Sequence, residues 1–293
     1  LIKFTDPNEK PDRASLTERE RGIYDQKEHV AQKFIYPSWK SLVFELKARV
    51  AIMDAALALN SSAAGFATFK QSKCNEEYWI RKNNGGFLLK KDAAPSKAVR
   101  DIFINGDKYG FECATAIIII LYKAALEILG DEVFDNKFKE LFLYSWNFDN
   151  DLRLITVNGK KDSFSGDVMY FKNPDVDPQT PEWQGENVVK LEQSLFFGHG
   201  ISILSKDQII ERLNMVRKPG STVSAYLEDQ ITYPDFSYWE KMAGAEPPNP
   251  GTSPAVTAMA ALPSVPLSSI SPAPAAAGAV VARISGRTMV YAR

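Results

Sequence analysis

The sequence predicts an α+β domain, an antiparallel sheet flanked by helices, and three observations carry that prediction. In the first half, Leu42, Val43, Leu46, Val50, Met53 and Leu57 recur at helical spacing and give one apolar face. From Leu152 onward the pattern changes to short apolar runs broken by turn residues. Helices first and strands later within one stretch point to segregated rather than alternating elements.

Residues 1–36 are rich in charge and are expected to form an N-terminal arm, with a short helix near Leu16 to His29. The shift into a folded catalytic domain, 37–240, comes at Pro37-Ser38, where Ser38 is placed to cap a helix running toward Asn60. Tyr78 to Arg81 and Phe87 to Lys90 flank Asn83-Asn-Gly-Gly86, a hairpin composition. Pro95-Ser96 opens a short helix, and Gly106 and Gly110 mark a loop. A strong helix then starts near Phe111 and runs to Leu129, with Gly130 as its stop. A further helix is expected around Asp135 to Phe142.

Strands are expected at Leu152 to Val157, Val168 to Phe171, Asn187 to Leu191 and Phe196 to Leu204. Ser205-Lys-Asp-Gln208 is a capping-box pattern opening a helix with Ile209, Ile210, Leu213 and Val216 on one face. Residues 241–293 are dominated by Ala, Pro, Ser and Gly and are expected to be a linker or disordered tail, with one stray strand at Thr288 to Ala292.

With 293 residues, 45% hydrophobic and 24% charged, the chain has material for an ordinary globular core. A net charge of −1 supplies no basic field for nucleic acid or for an anionic membrane. The longest apolar run, Ala114 to Tyr122, is too short to span a bilayer. Leu1 to Lys10 lack the apolar segment of a secretory signal, so synthesis in the cytoplasm is expected. Two cysteines, Cys74 and Cys113, make no disulfide framework and favour a reducing compartment. There is no phosphate-binding GxxxxGK[ST] loop, no GxSxG elbow, no HExxH and no paired CxxC. His29 and His199 with two distant cysteines do not readily assemble a zinc site, so no metal or cofactor is called for.

Elimination leaves cysteine chemistry. Cys113 lies in Tyr109-Gly-Phe-Glu-Cys-Ala-Thr-Ala116, in the first turn of a helix behind a glycine-containing loop. Free N–H groups and the positive dipole end of a helix stabilise a thiolate and can supply oxyanion donors. Position alone leaves this role and that of a small buried hydrophobe equally open. Cys74, between Lys73 and Asn75, is an incidental loop cysteine, and His29 lies in the charged arm. His199, in Phe196-Phe-Gly-His-Gly-Ile-Ser-Ile203, sits on an expected strand; a helix-borne Cys followed by a strand-borne His is the layout of papain-like enzymes. A hydrogen-bonded core histidine is its other reading.

Two carboxylates also compete for the partner role. Glu186, in Trp183-Gln-Gly-Glu-Asn-Val-Val189, could take the thiol proton if burial raised its pKa toward neutrality. Glu112, next to Cys113, reads first as an acid at a helix N-terminus. A neutral thiol–carboxylate pair sharing one proton would relieve the conflict between these acids and a thiolate. Phe66, Trp146 and Trp183 border these motifs and could wall a channel for a Gln or Lys side chain, core packing being the default for each.

Phe44-Glu-Leu-Lys47, Phe66-Ala-Thr-Phe69, Pro95-Ser-Lys-Ala98, Phe111-Glu-Cys-Ala-Thr-Ala116, Tyr170-Phe-Lys-Asn-Pro174, Gly185-Glu-Asn-Val188, His199-Gly200 and Ser224-Ala-Tyr-Leu227 follow one another in an order that is specific. On these motifs the chain resembles the bacterial spore-coat transglutaminases, calcium-independent protein-glutamine γ-glutamyltransferases of Bacillus relatives. The resemblance implies an NlpC/P60-like, papain-related core with Cys113 as nucleophile, Glu186 as principal acid/base partner and Glu112 partly substituting. It also implies His199 nearby, and Phe66, Trp146 and Trp183 lining a tunnel open at both ends. The expected partners are proteins carrying Gln and Lys, coat proteins among them, and the expected place of action is the spore coat. The oligomeric state is left open. Asp149 to Asp162, the N-terminal arm and the Ala/Pro-rich stretch depart from the family pattern.

The expected reaction is therefore isopeptide formation through a cysteine thioester. An NlpC/P60-type peptidase or amidase acting on cell-wall peptides through Cys113 and His199 is the alternative. A catalytically silent coat or scaffold protein, with Cys113 only in the core, is the third reading.

Overall fold

The computed structural model describes residues 1–158 and 162–244 and the backbone of two strands, Ala279–Ile284 and Arg287–Ala292. Two helices form its centre. Ser38 Oγ accepts the Ser41 N–H at 3.2 Å and starts helix α2, Trp39–Ser61, while α4, Cys113–Leu129, packs along it. Ile117, Ile118, Ile119, Ile120 and Leu121 of α4 are fully buried. Each such side chain contributes roughly 1.5–3 kcal/mol by leaving water, so α4 is held by packing all round rather than by one stripe.

The helices rest on an antiparallel sheet. Its strands run in the order Ser202–Ser205, Leu195–Gly198, Gly185–Lys190, Val168–Lys172, Ile231–Pro234, Leu154–Val157, with Tyr226–Leu227 also paired to the Val168–Lys172 strand. Successive residues point to opposite faces of a pleated strand. Val189 and Phe197 accordingly join the main core with α2 and α4, whereas Val188 and Phe196 join a second cluster on the other face. Helix α6, Lys206–Met215, covers that second face, opened by the expected Ser205/Gln208 capping box. The mixed, antiparallel α+β expectation is met, as are the Trp79–Arg81/Phe87–Leu89 hairpin and α3, Pro95–Ile104.

Several expectations are corrected. Residues 1–36 are not a peripheral arm. Ile2–Phe4 pairs in parallel with Phe34–Tyr36, and α1, Glu18–Glu28, buries Ile23 and Tyr24 in the main core. Its Lys27 enters a buried ion cluster: Lys27 Nζ donates to Glu45 Oε1 at 2.8 Å, Arg49 Nε to the same oxygen at 2.7 Å, and Arg49 Nη1 to Asp167 Oδ1 at 2.8 Å. Tyr36 completes the cluster with a 2.7 Å bond to Glu45 Oε2. Against burial, which raises it, Lys27 and Arg49 bring the Glu45 carboxyl down to about 2.

Helix α5 spans Asp131–Lys137, earlier than expected, because Gly130 is both the stop of α4 and the start of the next helix. The apolar run Phe196 to Leu204 is two strands joined by a turn, so His199 sits in a turn and not on a strand. Helix α7, Phe236–Gly244, carries the ordered fold past 240, with Met242 buried. The linker or tail expected at 241–293 lies otherwise outside the described residues, apart from the two strands, which pair with each other, Ile284 also pairing with Phe66. Among the described residues no helix is long and apolar enough to cross a membrane.

Candidate active site

Cys113 is the first residue of α4 and reaches the floor of a cleft of about 520 Å³. It is 9% exposed and stands outside the main core cluster, so it is not merely one more apolar residue of its helix. The preceding residue, Glu112, is the N-cap. Its carboxylate accepts the Ala114 N–H at 2.7 Å, the Thr115 N–H at 2.7 Å and the Thr115 hydroxyl at 2.6 Å. The helix-start donors expected to stabilise a sulfur anion are therefore already engaged by a neighbouring acid.

The Gly185–Lys190 strand supplies the opposite wall. Asn187 Nδ2 donates to Cys113 Sγ at 3.3 Å. Glu186, one residue earlier, turns the other way into the protein and is 2% exposed, with Oε1 buried and without a hydrogen-bond partner among the described residues. It has room because position 198 is glycine: a Cβ there would lie 2.9 Å from both Cγ and Oε1 of Glu186.

Burial raises the Glu186 carboxyl well above the ordinary carboxylate range, and the Glu112 charge adds to this. Burial likewise raises the Cys113 thiol, reinforced by Glu186 and then Glu112, while the Asn187 backbone and side-chain donors pull it back. Both shifts oppose a second negative charge in the pair, so the favoured state is a thiol and a carboxylate that share one proton and can pass it on.

His199 is elsewhere in its bonding. Its Nε2 lies 3.1 Å from the Gly65 carbonyl, and its ring stacks on Phe111 with centroids 4.7 Å apart. Burial lowers its pKa to about 4, against the opposing pull of backbone partners at Gly65 and Phe111. It is a neutral, buried ring that ties the strands Gly65–Phe66 and Gly110–Phe111 together. Gly200, at φ +105°, lets the turn close over the Phe66 ring.

Of the three aromatic residues, Phe66 and Trp146 line the cleft, and Trp146 remains 37% exposed. Trp183 stacks behind Phe66, centroids 6.1 Å apart, and is buried there. The sequence reading missed Asn187, Tyr170 and Glu228, which also line the cleft. The one available signal for Asn187 was its place directly after Glu186. Cys74 packs partly buried against the core with its thiol pushed up to about 11 by burial, and His29 Nδ1 is 2.6 Å from the Asp25 carbonyl at the end of α1. Among the described residues no group of three or more His, Cys, Asp or Glu is arranged to hold a metal ion.

A family model described as protein-glutamine gamma-glutamyltransferase matches residues 2–243. A protein-glutamine gamma-glutamyltransferase from Bacillus cereus strain B4264 is 48% identical over 212 residues, covering 72% of this chain and 76% of the relative. One from Halalkalibacterium halodurans is 46% identical over 213 residues, covering 73% and 75%. Among solved structures, a transglutaminase from Geobacillus stearothermophilus without its C-terminal extension superposes with a TM-score of 0.68 at 48% identity. That match covers 72% of this chain and 100% of the other.

Proposed function

This chain belongs to the protein-glutamine gamma-glutamyltransferase family, and we propose that it carries out the family's reaction by ping-pong acyl transfer on Cys113, with Glu186 as the proton carrier. Its activity is that of a transferase, and its substrates are proteins that carry glutamine and lysine.

In the first half-reaction the thiol proton passes toward Glu186 as Sγ attacks the γ-carboxamide carbon. The C–N bond breaks, the departing nitrogen takes that proton, ammonia leaves and a thioester remains. A lysine ε-amine then attacks the thioester, its proton moves to Glu186, the C–S bond breaks and the returning proton restores the thiol. The product is an ε-(γ-glutamyl)lysine isopeptide. The observation that carries this reading is the buried Glu186 carboxyl, whose Oε1 has no hydrogen-bond partner among the described residues and whose charge raises the Cys113 thiol.

Glu112 serves chiefly as the cap of α4, its partial substitution for Glu186 being limited by the three bonds it already accepts. His199 serves as a positioning group, its bond to Gly65 supporting that reading over a base for a Cys–His amidase. Phe66 and Trp146 form the apolar wall that holds an aliphatic side chain and keeps water from the thioester, and Trp183 buttresses Phe66. A cysteine at the start of a central helix, packed on an antiparallel sheet, supports an NlpC/P60-like, papain-related core. The catalytic unit runs from the N-terminal strand to the end of α7. Coat proteins as substrates and the spore coat as the place of action belong to the same reading and follow from the family resemblance.

Incorporation of a labelled amine into a glutamine-bearing protein, with and without a calcium chelator, tests the whole scheme. Activity insensitive to the chelator and lost in Cys113→Ala is the expected result. Cross-linking retained by Cys113→Ala would refute it.

A further inference from the structure

The resting nucleophile faces an electrostatic difficulty. Glu186 and Glu112 both oppose a negative sulfur, and the α4 amides at Ala114 and Thr115, which would ordinarily favour it, are bonded to Glu112. His199 is neutral and bonded elsewhere. The side-chain donor that does meet Sγ is Asn187, at 3.3 Å, buried at the edge of the cleft and opposite Tyr170 in the sheet register. The pleat assigns successive residues to opposite faces, so this strand turns Glu186 inward against Gly198 and Asn187 toward the sulfur.

We propose that the Asn187 side-chain amide is a catalytic donor, whose hydrogen bond to Cys113 Sγ strengthens as the sulfur becomes negative and so stabilises the attacking thiolate. Hydrogen bonds to an ionised partner are roughly twice as strong as neutral ones, so the bond favours the anion over the thiol. An amide does this without adding charge, leaving the Cys113–Glu186 pair free to pass a single proton. A lysine or a charged imidazole in its place would hold the thiolate permanently. The proposal rests on Cys113 being the nucleophile.

The test follows iodoacetamide alkylation of Cys113 against pH in a Cys74→Ser background, alongside amine-incorporation kinetics. Asn187→Leu is expected to alkylate about tenfold more slowly at neutral pH, with its profile moved upward. It should also lower kcat while leaving KM for the glutamine donor nearly unchanged. Asn187→Asp, which is isosteric but adds a third carboxylate, is expected to be slower still. A variant that unfolds at the wild-type temperature and keeps the wild-type alkylation profile overturns the role of Asn187 while leaving Cys113 as nucleophile. Persistent cross-linking in Cys113→Ala would instead remove the nucleophile itself.

Discussion

Gly198 and Glu186 occupy adjacent strands so closely that any side chain at position 198 would collide with the carboxyl group, its Cβ falling 2.9 Å from Oε1. The glycine is a recess for the acid. Gly198→Ala is expected to displace Glu186 and lower kcat/KM for amine incorporation about 100-fold, since small misplacements of catalytic groups have effects of that size. Overpacking should cost about 1–3 kcal/mol of stability, measurable by denaturant unfolding. Full activity in this variant would mean that Glu186 does not need its observed position.

Glu186→Gln and His199→Gln separate the two partner assignments. The first is expected to lower the rate of amine incorporation about 10²–10⁴-fold, the range for loss of a general acid–base. The second should keep activity within about tenfold of the parent chain while lowering the melting temperature, because its ring is held in the interior by Gly65 and Phe111. The opposite ordering of the two variants would restore a Cys–His mechanism.

The depressed His199 pKa also predicts a pH dependence of stability. An ordinary histidine titrates near 6.5, whereas this one falls to about 4 through burial. The unfolded chain therefore binds a proton that the folded chain refuses, so this contribution is intact above about pH 6.5 and is lost as pH falls toward 4. Its full size is about 3 kcal/mol. Unfolding measured across this window should be visibly less acid-sensitive in His199→Gln than in the parent chain.

What the sequence disclosed and what it concealed divide along the range of the interactions involved. Helices α2 and α6 were readable because Ser38 and Ser205 cap within three residues, and α4 because its apolar residues are contiguous. The N-terminal region misled because its charge suggested solvent. Lys27 is neutralised by Glu45, which shares Arg49 with Asp167, a pairing across 118 positions that no local pattern reveals. His199 was mistaken for a strand residue because Phe196 to Leu204 is almost uniformly apolar, and the turn depends on Gly200 at positive φ. Cys113 and Glu186 stand in motifs that single them out, but the placement of Asn187 beside the sulfur is purely geometric and left no composition signal.

Glu112→Ala should have two opposing effects. Loss of the N-cap is expected to cost about 1 kcal/mol in denaturant unfolding. At the same time, removal of one carboxylate that raises the Cys113 thiol should move its alkylation profile to lower pH. An upward movement would show that Glu112 favours the thiolate through some contact other than the α4 amides.

The buried ion cluster predicts that its shared cation, Arg49, is required for the stability of the fold. Arg49→Met leaves Glu45 and Asp167 without their shared cation and is expected to destabilise by about 3–5 kcal/mol. The low Glu45 value gives the pH sign: its contribution is present above the ordinary value near 4.5 and is lost as pH falls toward about 2. Equilibrium unfolding of the variant checks the first statement, and acid titration of the parent chain checks the second.

The acids around Cys113 have a consequence for durability. Peroxide and simple electrophiles react with thiolates, not thiols. A sulfur kept protonated by burial and by Glu186 and Glu112 is thereby a slow target for indiscriminate damage. Such a protein should keep its activity through oxidative exposure that would inactivate an enzyme with a standing thiolate. Covalent inhibitors should accordingly owe their potency to how well they imitate a glutamine side chain in the cleft rather than to the reactivity of their warhead.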